Sequence, residues 1–195
     1  RLSGKRGETG SDFRLLPKHL TVFSRLPERW PAALSASQAG ENAVRYCPEC
    51  ICKENDMLVK DPQEIRKILE ETKTIAVVGF SDDPGRGAAY YVPKHMHEAG
   101  YRIIPVNPGL TEGLGERCYP SLGDIPESIS VDMVNCFRHP EFIPDIARQA
   151  VAIGAKVLWM QMGITSAEAV EIASDAGLKV VQSLCLMKEY NRLLG

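Results

Sequence analysis

The residues with the clearest chemistry form one loop, Phe80-Ser81-Asp82-Asp83-Pro84-Gly85-Arg86-Gly87, between an apolar run ending at Gly79 and a helix-like stretch from residue 88. A strand, a glycine-bearing turn and a helix in that order leave the first helical amides without partners. The helix dipole also points its positive end at the turn. Such a turn suits a phosphate or pyrophosphate. Ser81 adds a hydroxyl donor and Arg86 a charged fork. The plainer alternative is that Gly85 and Gly87 serve only a sharp turn.

The spacing bears on which ligand the loop can take. A dinucleotide fingerprint reads G-x-G-x-x-G and carries Asp or Glu at the end of the second strand, where it holds the ribose hydroxyls. Here the spacing is G-x5-G-x-G, and the second apolar run ends on Asn107-Pro108-Gly109. The missing carboxylate disfavours NAD, and an NAD(P)-dependent oxidoreductase on the same fold stands as the alternative reading.

The elements that position this loop alternate along the chain. Strands are expected at Thr74–Gly79, Arg102–Val106, Met133–Phe137, Lys156–Gln161 and Lys179–Ser183, short apolar runs without clean alternation, as in parallel strands covered on both faces. Helices are expected near 88–99, 140–153 and 166–176, closed by Gly100, Gly154 and Gly177. Asp61-Pro62-Gln63-Glu64 signals a helix start, with a helix to about Thr72 that places Ile65, Ile68 and Leu69 on one face. Residues 109–130 read as a loop with a short helix at Ser121–Ile125, and Cys185–Leu193 as a final helix. The pattern predicts an α/β, doubly wound, Rossmann-like fold with a five-stranded parallel sheet. Right-handed crossovers then bring every strand end to one edge.

Residues 57–195 carry this regular pattern and form the expected domain. Residues 1–56 are rich in Arg, Ser, Pro and Gly and hold no lasting period, so they are expected to be an irregular or disordered extension. Residues 1–46 hold eight Lys/Arg against four Asp/Glu, which leaves 15 against 21 for the rest. A targeting presequence and sequence upstream of a start at Met57 are the two other readings of the extension; peptides from residues 1–56 in mass spectrometry of the natural protein would overturn the second. Cys47, Cys50 and Cys52 can supply part of a tetrahedral zinc site, with His19 or a distant Cys as fourth ligand. The alternative is an exposed cysteine cluster with no metal.

Composition excludes little else. A net charge of −2 over 195 residues gives no reason to expect nucleic acid or an anionic membrane as partner. No window reaches the ~18 apolar residues of a transmembrane helix. Three of the six cysteines sit in apolar or strand-end contexts, which points to a reducing, cytoplasmic setting. A homodimer is compatible with a small α/β domain, although no surface in the sequence argues for one. His95 and His97 stand two apart and so on different helical faces, and no Ser-His-Asp, H-E-x-x-H or P-loop pattern is present.

The run IAVVGFSDDPGRGAAYYVPKHMHEAGYRIIPVNPG, followed by GERCYPSLGDIPESISVDMVNCFRHPE, AIGAKVLWMQMGI and AGLKVVQSLCLMKEY, resembles the stand-alone CoA-binding proteins. These are similar to the N-terminal domain of the succinyl-CoA synthetase α-subunit, and the likeness covers Met57 to Leu194. It implies a CoA or acyl-CoA binding module without catalysis, acting as sensor, carrier or subunit. It implies that pyrophosphate sits after Gly79 on the amides of Phe80–Gly87, Asp82 included, beside Ser81 and Arg86. Asn107 and Pro108 would line the nucleotide part of the cleft, with Arg138 meeting a phosphate and Phe137 facing the adenine or lying in the core. Gln161-Met162-Gly163 would pass close to the pantetheine arm through backbone contacts, with the polar Gln161 side chain at a pocket edge. Many relatives carry an acid-Arg-Cys run where this chain has Ser183-Leu184-Cys185. At the start of the last helix Cys185 is either a reactive thiol or an inert buried one.

Overall fold

The structure is a computed structural model that describes residues 57–195. The expected extension and the Cys47, Cys50 and Cys52 cluster lie outside the described residues. Five parallel strands make the main sheet: β1 (Thr74–Val78), β2 (Arg102–Val106), β5 (Met133–Cys136), β6 (Val157–Met160) and β7 (Lys179–Val181), in the order β2-β1-β5-β6-β7. Two-residue strands β3 (Glu112–Gly113) and β4 (Glu116–Arg117) form a separate antiparallel pair. The helices are α1 (Pro62–Glu71), α2 (Ala88–Glu98), α3 (Ile143–Ala152), α4 (Ala167–Asp175) and α5 (Leu186–Leu193).

Successive side chains of a strand point to opposite faces, and both faces of this sheet are apolar. Ile75, Val77, Met133 and Trp159 pack with Ile65, Ile68 and Leu69 of α1, Val92 and Met96 of α2, and Leu186 of α5. Ala76, Val134, Leu158 and Val180 pack on the other face with α3 and α4. Covering both faces is what removes the in/out alternation from the strand sequences. Pro105 lies within β2, at the sheet edge, where a missing N–H costs no ladder bond.

The helix start at α1 is built as expected, with Asp61 Oδ2 accepting from the Glu64 amide at 3.2 Å. Upstream of it, Leu58 bridges Val180, and Val59 donates to the Val180 carbonyl at 2.8 Å. Most strands end one or two residues before the sequence suggests. Gly79 and Ser183 turn to φ 84° and 57°, which takes them out of the ladder and into the loops of the C-terminal edge. The expected helix at 140–153 begins as a 3-10 turn, Pro140–Phe142, before α3 proper.

The 109–130 segment contains the 3-10 turn Leu122–Asp124, closed by Ser121 and Asp124, whose side chains lie 2.7 Å apart. It also contains β3 and β4, too short to show a period. Arg102 fastens this hairpin to β2 by donating to Glu116 at 2.7 Å. That bond holds the Glu116 carboxyl below its ordinary range against a smaller opposing effect of burial. Gly113 is buried flat against the Phe80 ring, so closely that a Cβ there would collide with it.

Candidate functional site

The strand order reverses direction about β1, which puts the topological switch point between β1 and β5. Open α/β sheets leave a crevice there, beyond the carboxyl ends of the strands. In this chain the crevice has a cavity of about 650 Å³, and its walls come from three strand ends. Gly79, Phe80, Ser81, Asp82 and Arg86 follow β1, Asn107 with Gly109 and Leu110 follow β2, and Phe137 and Arg138 follow β5. A second cavity of about 280 Å³ shares Gly79, Asn107 and Arg138 with it, and adds Pro108, Ser121, Phe142 and Gln149.

Gly79 is where β1 and β5 approach each other. Its φ is 84°, and a Cβ built there would lie 3.0 Å from the Phe137 carbonyl oxygen. Both facts require glycine. Gly87 caps α2 at φ 61° and ψ −121°, a conformation open to glycine almost alone. The turn between them is a short 3-10 helix, Pro84–Arg86, capped by Asp83, whose Oδ1 accepts from the Gly85 amide at 2.8 Å.

That turn changes which amides are available. Ser81 donates to the Ala89 carbonyl, Arg86 to that of Asp83 and Gly87 to that of Pro84. The Asp83 amide donates to Ser81 Oγ at 3.1 Å. Among the described residues, the amides of Phe80, Asp82, Ala88 and Ala89 have no acceptor. Of the amides from Phe80 to Gly87, only those of Phe80 and Asp82 are thus unpaired, and those of Ala88 and Ala89 in the first turn of α2 join them. The Ser81 oxygen accepts from Asp83, and its own O–H is left to donate.

Two guanidinium groups, Arg86 and Arg138, line the larger cavity, and so do the carboxylates of Asp82 and Asp83. The formal charge of the wall is therefore balanced. Asp83 is occupied in capping the turn, whereas Asp82 is exposed. Arg138 is also exposed, and its guanidinium lies 5.0 Å over the Phe142 ring, which holds it between the two cavities. A donor set of unpaired amides, a hydroxyl and two guanidiniums suits a phosphate-bearing ligand.

Phe80 reaches the cavity through its backbone, because its ring is 1% exposed in the core. Phe137 packs against the core on the α2 face and also lines the cavity. Pro108 lines the second cavity. Gln161 and Gly163 line neither. The Gln161 side chain is not at a pocket edge as expected: the residue is 4% exposed, and its Nε2 donates to Asn135 Oδ1 at 2.9 Å, inside the fold. Asn135, itself fully buried, satisfies the polar end that suggested a pocket edge. The Gly163 amide donates to Ser183 Oγ at 3.3 Å. Cys185 is the N-cap residue of α5, partly buried against the α5-side core.

The walls also contain residues that the sequence does not single out, among them Leu110, Phe142, Asp145 and Gln149. Leu110 and Phe142 stand within four residues of Asn107 and Arg138, and proximity to those two was the only signal available. No helix among the described residues is long and apolar enough to cross a membrane.

A five-stranded parallel sheet covered on both faces, with its crevice at the switch point, defines a Rossmann-like α/β domain. The chain belongs to the family described as the CoA binding domain, whose model matches residues 73–191. It is similar to the uncharacterized protein YneT of Bacillus subtilis, 42% identical over 123 residues, which cover 63% of this chain and 89% of that one. A solved structure of a hypothetical protein from Pyrococcus horikoshii OT3 superposes with a TM-score of 0.66 at 42% identity, covering 70% of this chain and 94% of the other. An ADP-forming acetate–CoA ligase of Archaeoglobus fulgidus is 32% identical over 123 residues, 58% of this chain but 18% of the ligase.

Proposed function

We propose that this domain binds CoA or an acyl-CoA and does no chemistry on it alone. The observation that carries the reading is the set of unpaired amides at Phe80, Asp82 and Ala89 in the wall of a cleft that also holds Arg86 and Arg138, with the unpaired Ala88 amide beside them in the first turn of α2. The pyrophosphate would rest on those amides with the Ser81 hydroxyl. The second cavity, lined by Pro108, Leu122, Phe142 and Ile146 along with polar groups, would take the adenine, and Arg138, which lines both cavities, would meet a phosphate. Family membership and the local likeness to an acetate–CoA ligase support the ligand class.

The non-catalytic part rests on the cleft's contents. The ionisable side chains lining its two cavities are Asp82, Asp83, Arg86, Arg138 and Asp145, with no imidazole or thiol among them. His95 is engaged elsewhere, with Nε2 2.8 Å from Asn191 Oδ1. His139 is exposed beside Glu141. A sensor, carrier or subunit role follows from binding without turnover. We place the protein in the cytoplasm, in keeping with free thiols at Cys118, Cys136 and Cys185.

Calorimetry with CoA, acetyl-CoA, NAD and ATP tests the reading. CoA species are expected to bind, and NAD to bind far more weakly. Failure of every CoA species at millimolar concentration would defeat it, and preferential NADP binding would favour the oxidoreductase alternative.

A further inference from the structure

The second strand ends at the position where a dinucleotide site carries its acid, and here the side chain has other work. Asn107 Nδ2 donates to the Phe80 carbonyl at 2.8 Å, and its Oδ1 accepts from the Gly109 amide at 2.8 Å. A carbonyl only accepts and an amide N–H only donates, so these partners fix the orientation of the carboxamide. The backbone of the same residue is equally engaged. Its N–H donates to the Tyr119 carbonyl at 2.9 Å, and its carbonyl accepts from the Leu110 amide at 3.3 Å and from Cys118 Sγ at 3.4 Å. One residue thus ties the β1 loop, the turn after β2 and the strand-like segment at Tyr119. Phe80, Gly109 and Leu110, three of the residues it holds, are cleft walls.

We propose that Asn107 is a positioning and specificity-determining residue. Its carboxamide, held between the Phe80 carbonyl and the Gly109 amide, fixes the β1 loop in the geometry that receives the anion, and an ionised acid in its place breaks that geometry. This rests on the cleft being the phosphate site described above. Ionised aspartate keeps the acceptor for Gly109 but has no donor for Phe80, so it sets one oxygen against another. The Phe80 amide, one of the four without an acceptor, belongs to the same residue whose carbonyl Asn107 holds. The position therefore works against the carboxylate that a ribose-diol site requires, beyond simply lacking it.

Asn107→Asp provides a signature that a general loss of packing does not. Protonated aspartic acid is close in shape to asparagine and can donate to Phe80 while accepting from Gly109. Facing a carbonyl oxygen, the new carboxyl would titrate above the ordinary value of about 4. The charged or titratable groups around it are Asp82, Asp83, Arg86 and Arg138 in the cleft and the Cys118 thiol on its carbonyl. All are shared with the wild type, so affinities are compared as a ratio at each pH.

The titration uses the full chain with CoA, and separately with inorganic pyrophosphate, from pH 7.5 down to pH 4.5. The variant is expected to bind about 10-fold or more weakly at pH 7.5, the consequence of one unmet buried carbonyl. The ratio should return toward one as the pH falls. Asn107→Ala, which cannot be rescued by a proton, should stay weak throughout. A ratio that does not change with pH, or wild-type affinity in either variant, overturns the proposal. If Asn107→Asp does not fold at pH 7.5, wild-type affinity in Asn107→Ala alone has the same force. Pyrophosphate binding without CoA binding defeats the ligand assignment and leaves the positioning role standing; binding of neither defeats both.

Discussion

Gly87→Ala separates backbone conformation from every other property of the Phe80–Gly87 loop. Gly87 has φ 61° and ψ −121°, and a Cβ added there meets nothing within 4 Å. The whole cost is therefore strain, about 1–3 kcal/mol for a side-chain-bearing residue held in that region. Urea unfolding should show the midpoint falling with the slope unchanged. The chain relieves the strain most easily by turning the first turn of α2, which moves the Ala88 and Ala89 amides. Hydrogen bonds from such groups to a charged acceptor are worth about 1.5–3 kcal/mol each, so losing one weakens CoA about 10-fold or more. Gly85→Ala is the control in the same turn. Gly85 has no positive φ, and the nearest atom to its Cβ is the Asp83 carboxylate at 3.2 Å, a side chain that can give. Gly87→Ala with wild-type stability and wild-type CoA affinity would refute the reasoning.

Arg86→Ala and Arg138→Ala should each weaken CoA by roughly 10- to 100-fold, as expected for one lost charge-assisted contact. Their losses should shrink as salt is raised in the calorimeter. Asp132 gives a pH test at the other end of the sheet. Burial would raise its carboxyl, but the Lys156 ammonium at 2.8 Å and the Lys73 and Thr74 amides at 3.1 Å hold it below its ordinary value. Its stabilisation is thus present above about pH 4, where the unfolded carboxyl is ionised, and is lost as pH falls through the lower folded value. Asp132→Asn should cost about 1–2 kcal/mol at neutral pH and lose its difference from wild type in acid, followed by denaturant titration. Burial pushes the Cys136 thiol up to about 12, so an alkylating reagent should modify Cys185 in the native protein and leave Cys136 until it unfolds.

Most of the fold is legible in the sequence because its signals are local. Asp61, Pro62 and Glu64 announce α1 within four residues, and each strand is a compact apolar run bounded by a polar or glycine position. The crevice is legible for a topological reason, since parallel strands deliver Gly79, Asn107 and Arg138 to one edge. What could not be read depends on partners distant in the chain. Gln161 looks like a pocket residue until Asn135, 26 residues away, takes its amide. The β3–β4 hairpin has two residues per strand and no period, yet Gly113 sets the seat of Phe80. Which amides are available is not legible in the sequence, because a 3-10 turn capped by Asp83 consumes those of Arg86 and Gly87 internally.

The most direct measurement is amide chemical-shift mapping of the isotope-labelled protein as CoA is added. The account predicts that Phe80, Asp82, Ala88 and Ala89 shift most, with the Arg86 and Arg138 side-chain signals, because these groups exchange water for phosphate oxygens. Shifts confined to the β6 and β7 ends, or none at saturating CoA, would contradict it.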